Sequence, residues 1–102
     1  MKMLVKTIAI ISLLWGAPLA WAQADALQLR SWAAACANCH GTLGVAQPGM
    51  ASLAGTPKAD LTKKMLDFKA GRQPATLMHQ IAKGYTDEQI EQLAGYFAAL
   101  KK

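Results

Sequence analysis

Little in this sequence is available for covalent or metal chemistry: the 102 residues include two cysteines, two histidines and six acidic side chains. Two cysteines and two histidines make at most one four-ligand zinc site, and at most one disulfide. Aromatic residues are also few, three Trp, two Tyr and two Phe, and no dense basic stripe is interleaved with them. That excludes nucleic-acid recognition by charge and base stacking. Beyond the first two dozen residues no apolar/polar alternation occurs, which excludes a half-buried sheet. No internal repeat or low-complexity segment is present. The length allows one domain.

What is present begins with a leader. The 53% hydrophobic content and mean hydropathy of +0.15 are raised by the first twenty or so residues. Lys2 and Lys6 precede an apolar run over 8–15, then Gly16 and Pro18 break it before Ala20-Trp21-Ala22. Small side chains two residues apart fit a secretory cleavage site, so residues 1–22 read as a signal peptide cut near Ala22, with Ala24 the alternative. A membrane anchor would need about 20 apolar residues, more than this run supplies. The expected mature domain is 23–102, exported to the periplasm, with no membrane span. Without Lys2 and Lys6 the eleven basic residues become nine against six acids, a net charge of about +3. A domain of this size buries a modest core and needs a disulfide, metal or cofactor to support it.

The mature chain reads as all-α. Leu29, Trp32 and Cys36 recur at i, i+3, i+7, so a helix is expected from Asp25 to His40. Residues 41–55 hold four glycines and Pro48 without helical period, an extended loop of the kind that wraps something. Thr56 as N-cap and Pro57 at the first helical position then start a second helix. It carries Leu61, Met65 and Phe68 on one face, and Gly71 ends it. After Arg72-Gln73-Pro74 a short helix is expected over 75–83, closed by Gly84. Thr86 and Gln89 form a capping box for the last helix, with Tyr85 and Ile90 as its hydrophobic staple. Ile90, Leu93, Ala94, Phe97 and Leu100 make its apolar stripe. Two acids in its first turn and Lys101 and Lys102 at its end suit the helix dipole.

Cys36-Ala37-Asn38-Cys39-His40 is Cys-x-x-Cys-His, the attachment signature of c-type haem. Residues i and i+3 share a helix face, so both sulfurs can bond one haem edge while His40 reaches the iron from the same side. A thioredoxin-like dithiol would place the cysteines at a helix N-terminus after a strand, where the dipole lowers the thiol pKa. Here they stand near a helix C-terminus. Zinc held by Cys36, Cys39, His40 and His79 would need adjacent ligands at Cys39 and His40, a poor fit. A disulfide across two residues closes too small a loop to stabilise much.

The sixth iron ligand decides between electron transfer and ligand binding. Met65 lies on the apolar face of the second helix and reads as core. Met50 would cover the histidine side. Met78, at the entry of a short helix after a proline break, can approach from the opposite face, and His79 beside it is the alternative.

Together these residues resemble the class I cytochromes c of the c4/c553 type over essentially the whole mature chain. Cys36 to Gly41, Ser52-Leu53-Ala54-Gly55, Asp67-Phe68-Lys69-Ala70-Gly71, Met78 through Ala82, Tyr85-Thr86-Asp87-Glu88-Gln89-Ile90 and Leu93-Ala94-Gly95-Tyr96-Phe97 carry the likeness. The resemblance implies a small fold of four or so helices around one covalent haem c. It implies Cys36 and Cys39 as thioether donors, with His40 and Met78 as axial ligands. The segment 74–85 is similar to the haem subunit of flavocytochrome c sulfide dehydrogenase, which implies a flavoprotein that oxidises sulfide as redox partner. The family often has proline where Ala51 stands, in the loop whose carbonyl accepts a bond from the proximal histidine.

The expected activity is outer-sphere transfer of single electrons by a carrier that is not itself an enzyme. The pocket is expected to be lined by Trp32, Leu53, Met65, Phe68, Ile81, Tyr96 and Phe97. The alternatives are a freely diffusing shuttle to a terminal oxidase or reductase, and a five-coordinate haem ligand-binding protein. Lys58, Lys63, Lys64, Lys69 and Arg72 read as a solvated face, or else as a docking patch for an acidic partner.

Overall fold

A computed structural model describes residues 25–102; the expected leader over 1–22 lies outside the described residues. Asp25 starts the first helix, its carboxylate accepting from Gln28 N at 2.7 Å. This helix, α1, spans Ala26–His40 and is halted at Gly41, where the backbone turns to φ 83°. A side chain at Gly41 would collide with the Val45 carbonyl, so only glycine fits. A single 3-10 turn, Thr42–Gly44, follows. The loop after it is tied to itself: Gly44 O accepts from Leu53 N at 2.8 Å and Ala54 N at 3.1 Å. Gly55 N then donates to Phe97 O at 2.9 Å, stitching the loop to the last helix. Gly44 has φ 75°, and a Cβ there would stand 2.9 Å from the Phe97 ring.

The second helix, α2, spans Lys58–Lys69. Thr56 and Pro57 stand one step from their expected roles. Pro57 is the capping residue, with ψ 135°, and no side chain caps the helix. The first helical bonds go to Pro57 O, from Asp60 N and Leu61 N at 3.1 Å each, while Thr56 N closes a preceding turn on Leu53 O at 3.2 Å. The helix ends as expected: Gly71 N bonds Phe68 O at 3.1 Å and Arg72 N bonds Asp67 O at 2.8 Å, with Gly71 at φ 77°. This is the paired-bond Schellman ending.

The short helix α3 spans only Met78–Ala82, not the whole of 75–83. Leu77 before it has φ −128° and no side chain caps the start, so nothing extends helical geometry back to Ala75. The last helix, α4, spans Asp87–Ala98 and has the expected capping box in both directions. Gln89 N donates to Thr86 Oγ1 at 3.1 Å, and Thr86 N donates to Gln89 Oε1 at 2.8 Å. Since α4 stops at Ala98, Lys101 and Lys102 lie beyond its last turn.

The described residues are therefore helical without strands, as the pattern predicts. The α2 helix packs on both α3 and α4, while α1 packs on α4 and on the 3-10 turn. Ala33, Leu61, Leu93, Ala94 and Phe97 form the buried cluster. Leu29, Trp32, Cys36, Leu53, Tyr85, Tyr96 and Leu100 lie against it, partly buried. This core is thin: Ile90 is the one large side chain wholly out of water among the described residues. No helix among them is long and apolar enough to cross a membrane.

Candidate functional site

The motif occupies the last turn of α1, so Cys36, Cys39 and His40 are presented together by one rigid element. Cys36 is half-buried and Cys39 exposed, and the two are not joined to each other. Burial pushes the Cys36 thiol up. A nucleophilic dithiol requires the reverse, a thiolate favoured at neutral pH. No three of Cys36, Cys39, His40 and His79 converge on a point where they could hold a metal ion.

His40 is oriented by the loop that leaves it. Its Nδ1 lies 2.6 Å from Ala51 O. A carbonyl only accepts, so Nδ1 carries the proton and Nε2 keeps its lone pair, the form in which imidazole ligates a metal. Ala51 thus supplies the acceptor through its backbone. Sequence reasoning left this acceptor unassigned because a main-chain oxygen has no side-chain signature. Ser52 Oγ supports the same loop by accepting from Ala46 N at 2.9 Å.

Met78 opens α3 and is half-buried. His79, its neighbour, has a buried Nδ1 without a hydrogen-bond partner. Tyr85, just beyond α3, is raised in pKa first by burial and second by Cys36, and both side chains lie against the buried cluster. Met65 and Phe68 are half-buried on α2. Tyr96 and Phe97 stand edge to face, centroids 5.2 Å apart and planes at 87°. They line a cleft of about 160 Å³ with Arg30, Ala33, Ala37 and the residues of the 3-10 turn. At 100° per residue that flank of α1 is turned away from Cys39. An open groove of about 780 Å³ between α2 and α4 is lined by Lys58, Lys63, Asp67, Arg72 and Glu91 among others, and contains no motif residue.

The residues present fit a haem c. Two thiols share one helical turn with an imidazole whose Nε2 is free, and a thioether comes from a separate element. Leu43, Val45, Met50, Leu77 and Ile81 are 57%, 49%, 48%, 61% and 42% exposed. They sit on the segments that follow His40 and flank Met78. Large apolar side chains so placed suit an apolar, planar ligand that would cover them.

The basic run on α2 is less free than its sequence suggests. Asp67 takes Lys63 at 2.6 Å and Arg72 at 3.0 Å. Lys69 pairs with Asp87 at 2.7 Å. Lys63 chiefly, and then Arg72, hold the Asp67 carboxyl below the usual aspartate value.

No protein-family model matches the chain. It is 40% identical over 67 residues to the cytochrome subunit of sulfide dehydrogenase from Chlorobaculum tepidum, covering 66% of this chain and 61% of that protein. It is 34% identical over 78 residues to cytochrome c-553 of Helicobacter pylori, covering 74% of this chain and 81% of the relative. Among solved structures it resembles cytochrome c4 of Acidithiobacillus ferrooxidans, with TM-score 0.63 and 35% identity over 65% of this chain and 38% of that one. The chain spans 45–61% of the length of the first curated relatives that it matches.

Proposed function

The chain belongs to the class I cytochromes c, electron-transfer proteins that carry covalent haem c, and from that premise we propose how its own residues do this. Cys36 and Cys39 would hold a haem c through thioethers, with His40 and Met78 as the ligands to its iron. Haem c supplies a reversible one-electron couple at its iron. The polypeptide does the rest. Ala51 O fixes the His40 ring and its tautomer, and raises the basicity of Nε2. With His40 and Met78 each held by its own segment, both would stay bound in either oxidation state and keep reorganisation small, and a methionine ligand would favour the reduced form. Leu43, Val45, Leu77 and Ile81, exposed in the bare polypeptide, would exclude water once covered by the haem.

The observation that carries this reading is the 2.6 Å bond from His40 Nδ1 to Ala51 O. It leaves the opposite nitrogen as a ready ligand beside two cysteines on the same turn. In the Met78→Ala variant the far-red thioether-to-iron band should vanish, and carbon monoxide should bind the reduced protein readily. A band unchanged in that variant overturns the ligand assignment and points to another methionine, Met50 or Met65, whereas a wild-type protein without the band favours His79. The domain proposed is 23–102, exported to the periplasm after the leader is removed.

The physiological role proposed is that of haem subunit or electron acceptor to a sulfide-oxidising flavoprotein. The likeness to the sulfide dehydrogenase subunit supports it. Co-purification with a flavoprotein, and sulfide-dependent reduction by that complex, test it. The likeness to cytochrome c-553 favours a diffusing shuttle instead. Recovery as a free monomer with no flavoprotein would decide for the shuttle.

A further inference from the structure

The geometry points to Lys69 as a positioning residue for Met78, an inference that rests on the ligand reading above. The last turn of α2 grips both ends of the segment that carries this methionine. At the near end, Asp67 O accepts from Arg72 N at 2.8 Å and from Gln73 N at 3.3 Å. The Asp67 side chain takes Arg72 Nε at 3.0 Å as well. At the far end, Lys69 Nζ donates to Tyr85 O at 2.8 Å and to Asp87 Oδ1 at 2.7 Å. Asp67 and Lys69 are two residues apart in α2, so one turn closes the whole stretch between Arg72 and Tyr85 into an Ω-shaped loop.

Between these stems the segment's hydrogen bonds are local, and its other tie is the packing of α3 on α2. Residues 71–77 are all exposed, and α3 is five residues long with no side-chain cap. Its backbone bonds are local: Gln80 N and Ile81 N to Leu77 O, Gly84 N to Ile81 O, Tyr85 N to Ala82 O. Packing of α3 on α2 holds it laterally, and Ala82 is wholly buried there. What sets the distance between the stems is Lys69.

Of its two bonds, the one to the carbonyl carries the effect. Tyr85 O is part-buried, whereas the Asp87 side chain is 68% exposed. An exposed ion pair contributes little, but a cation donating to a sheltered carbonyl is a charge-assisted bond in a drier place. Lys69 touches no reacting atom. It acts by keeping the loop short, so that a methionine released from the iron returns to it.

The test uses the haem-loaded protein as Lys69→Met, Lys69→Arg, Asp87→Asn and Met78→Ala. The readouts are the far-red thioether band, imidazole affinity of the ferric protein, and helical circular dichroism. Lys69→Met should weaken the band and bind imidazole about tenfold more tightly, the factor that 1.4 kcal/mol represents. Lys69→Arg should restore both, and Asp87→Asn should change affinity by less than about twofold, as for other exposed pairs. A Lys69→Met protein with wild-type band and affinity overturns the inference, as does one that only melts earlier. If Lys69→Met loses its helical signal, Lys69→Gln is judged by the same two outcomes. Should the band survive in Met78→Ala, the ligand reading falls and this one with it. A band lost in Met78→Ala but intact in Lys69→Met sinks only the role of Lys69.

Discussion

Replacing Gly44 with alanine separates two contributions that glycines usually confound. Gly44 sits at φ +75° and Gly71 at φ +77°, so alanine meets the same left-handed backbone at each. That conformation costs about 1–2 kcal/mol for a residue with a Cβ. At Gly71 the new methyl would meet nothing within 4 Å. At Gly44 it would stand 2.9 Å from both Phe97 Cδ1 and Ala54 N. Phe97 is a core residue, 5% exposed, and cannot swing freely. Overpacking of that kind adds about 1–3 kcal/mol. Gly44→Ala should therefore lose about 2–5 kcal/mol and Gly71→Ala about 1–2, by the same two principles. Urea unfolding of the haem-loaded variants measures both, provided their m-values match. The loss at Gly44 should also reach the site, because its carbonyl anchors Leu53 and Ala54 in the loop that offers Ala51 O to His40. Equal losses at the two glycines would refute the argument, and would mean that Phe97 yields without cost.

Three other outcomes are expected. Thr86→Ala removes the cap on Gln89 N and should cost about 1 kcal/mol in urea unfolding; no change would mean that water replaces the bond fully. The Asp67 carboxyl, lowered in the folded chain by Lys63 and then Arg72, contributes stability that is complete above the unfolded value. That contribution is lost as pH falls through the lower folded value. The stability gap between wild type and Asp67→Asn should therefore shrink as pH drops below the ordinary aspartate value of about 3.9, and a constant gap would count against the pairing. In the haem-free chain iodoacetamide should label Cys39 before Cys36, since burial raises the Cys36 thiol and leaves less thiolate. The reverse order in mass spectra of partly labelled protein would contradict the burial of Cys36.

Much of the site was legible because it is local. Cys36, Cys39 and His40 fall within one turn, and Thr86 and Gln89 cap a helix three residues apart. Patterns of that span depend on backbone geometry alone. The start of α2 falls one residue later than the Thr-Pro pattern predicts, because Pro57 O rather than Thr56 O takes the first helical bonds. The start of α3 falls later than the pattern predicts, because Leu77 leaves helical geometry and no residue type there signals it. Least visible were contacts between distant segments. The run of cations on and just after α2 reads as a free face, but Asp67 takes Lys63 and Arg72, and Asp87 takes Lys69. Lys69 meets Tyr85 and Asp87 across 16 and 18 residues, a separation that no periodicity encodes.

The thin interior has a consequence for the life of the protein in the cell. With Ile90 alone wholly sheltered among the large side chains of the described residues, the bare polypeptide has little to resist unfolding or digestion. Copies that miss cofactor attachment should be cleared by proteases, while finished ones endure. Supply of the pigment, more than the rate of translation, would then set how many molecules accumulate.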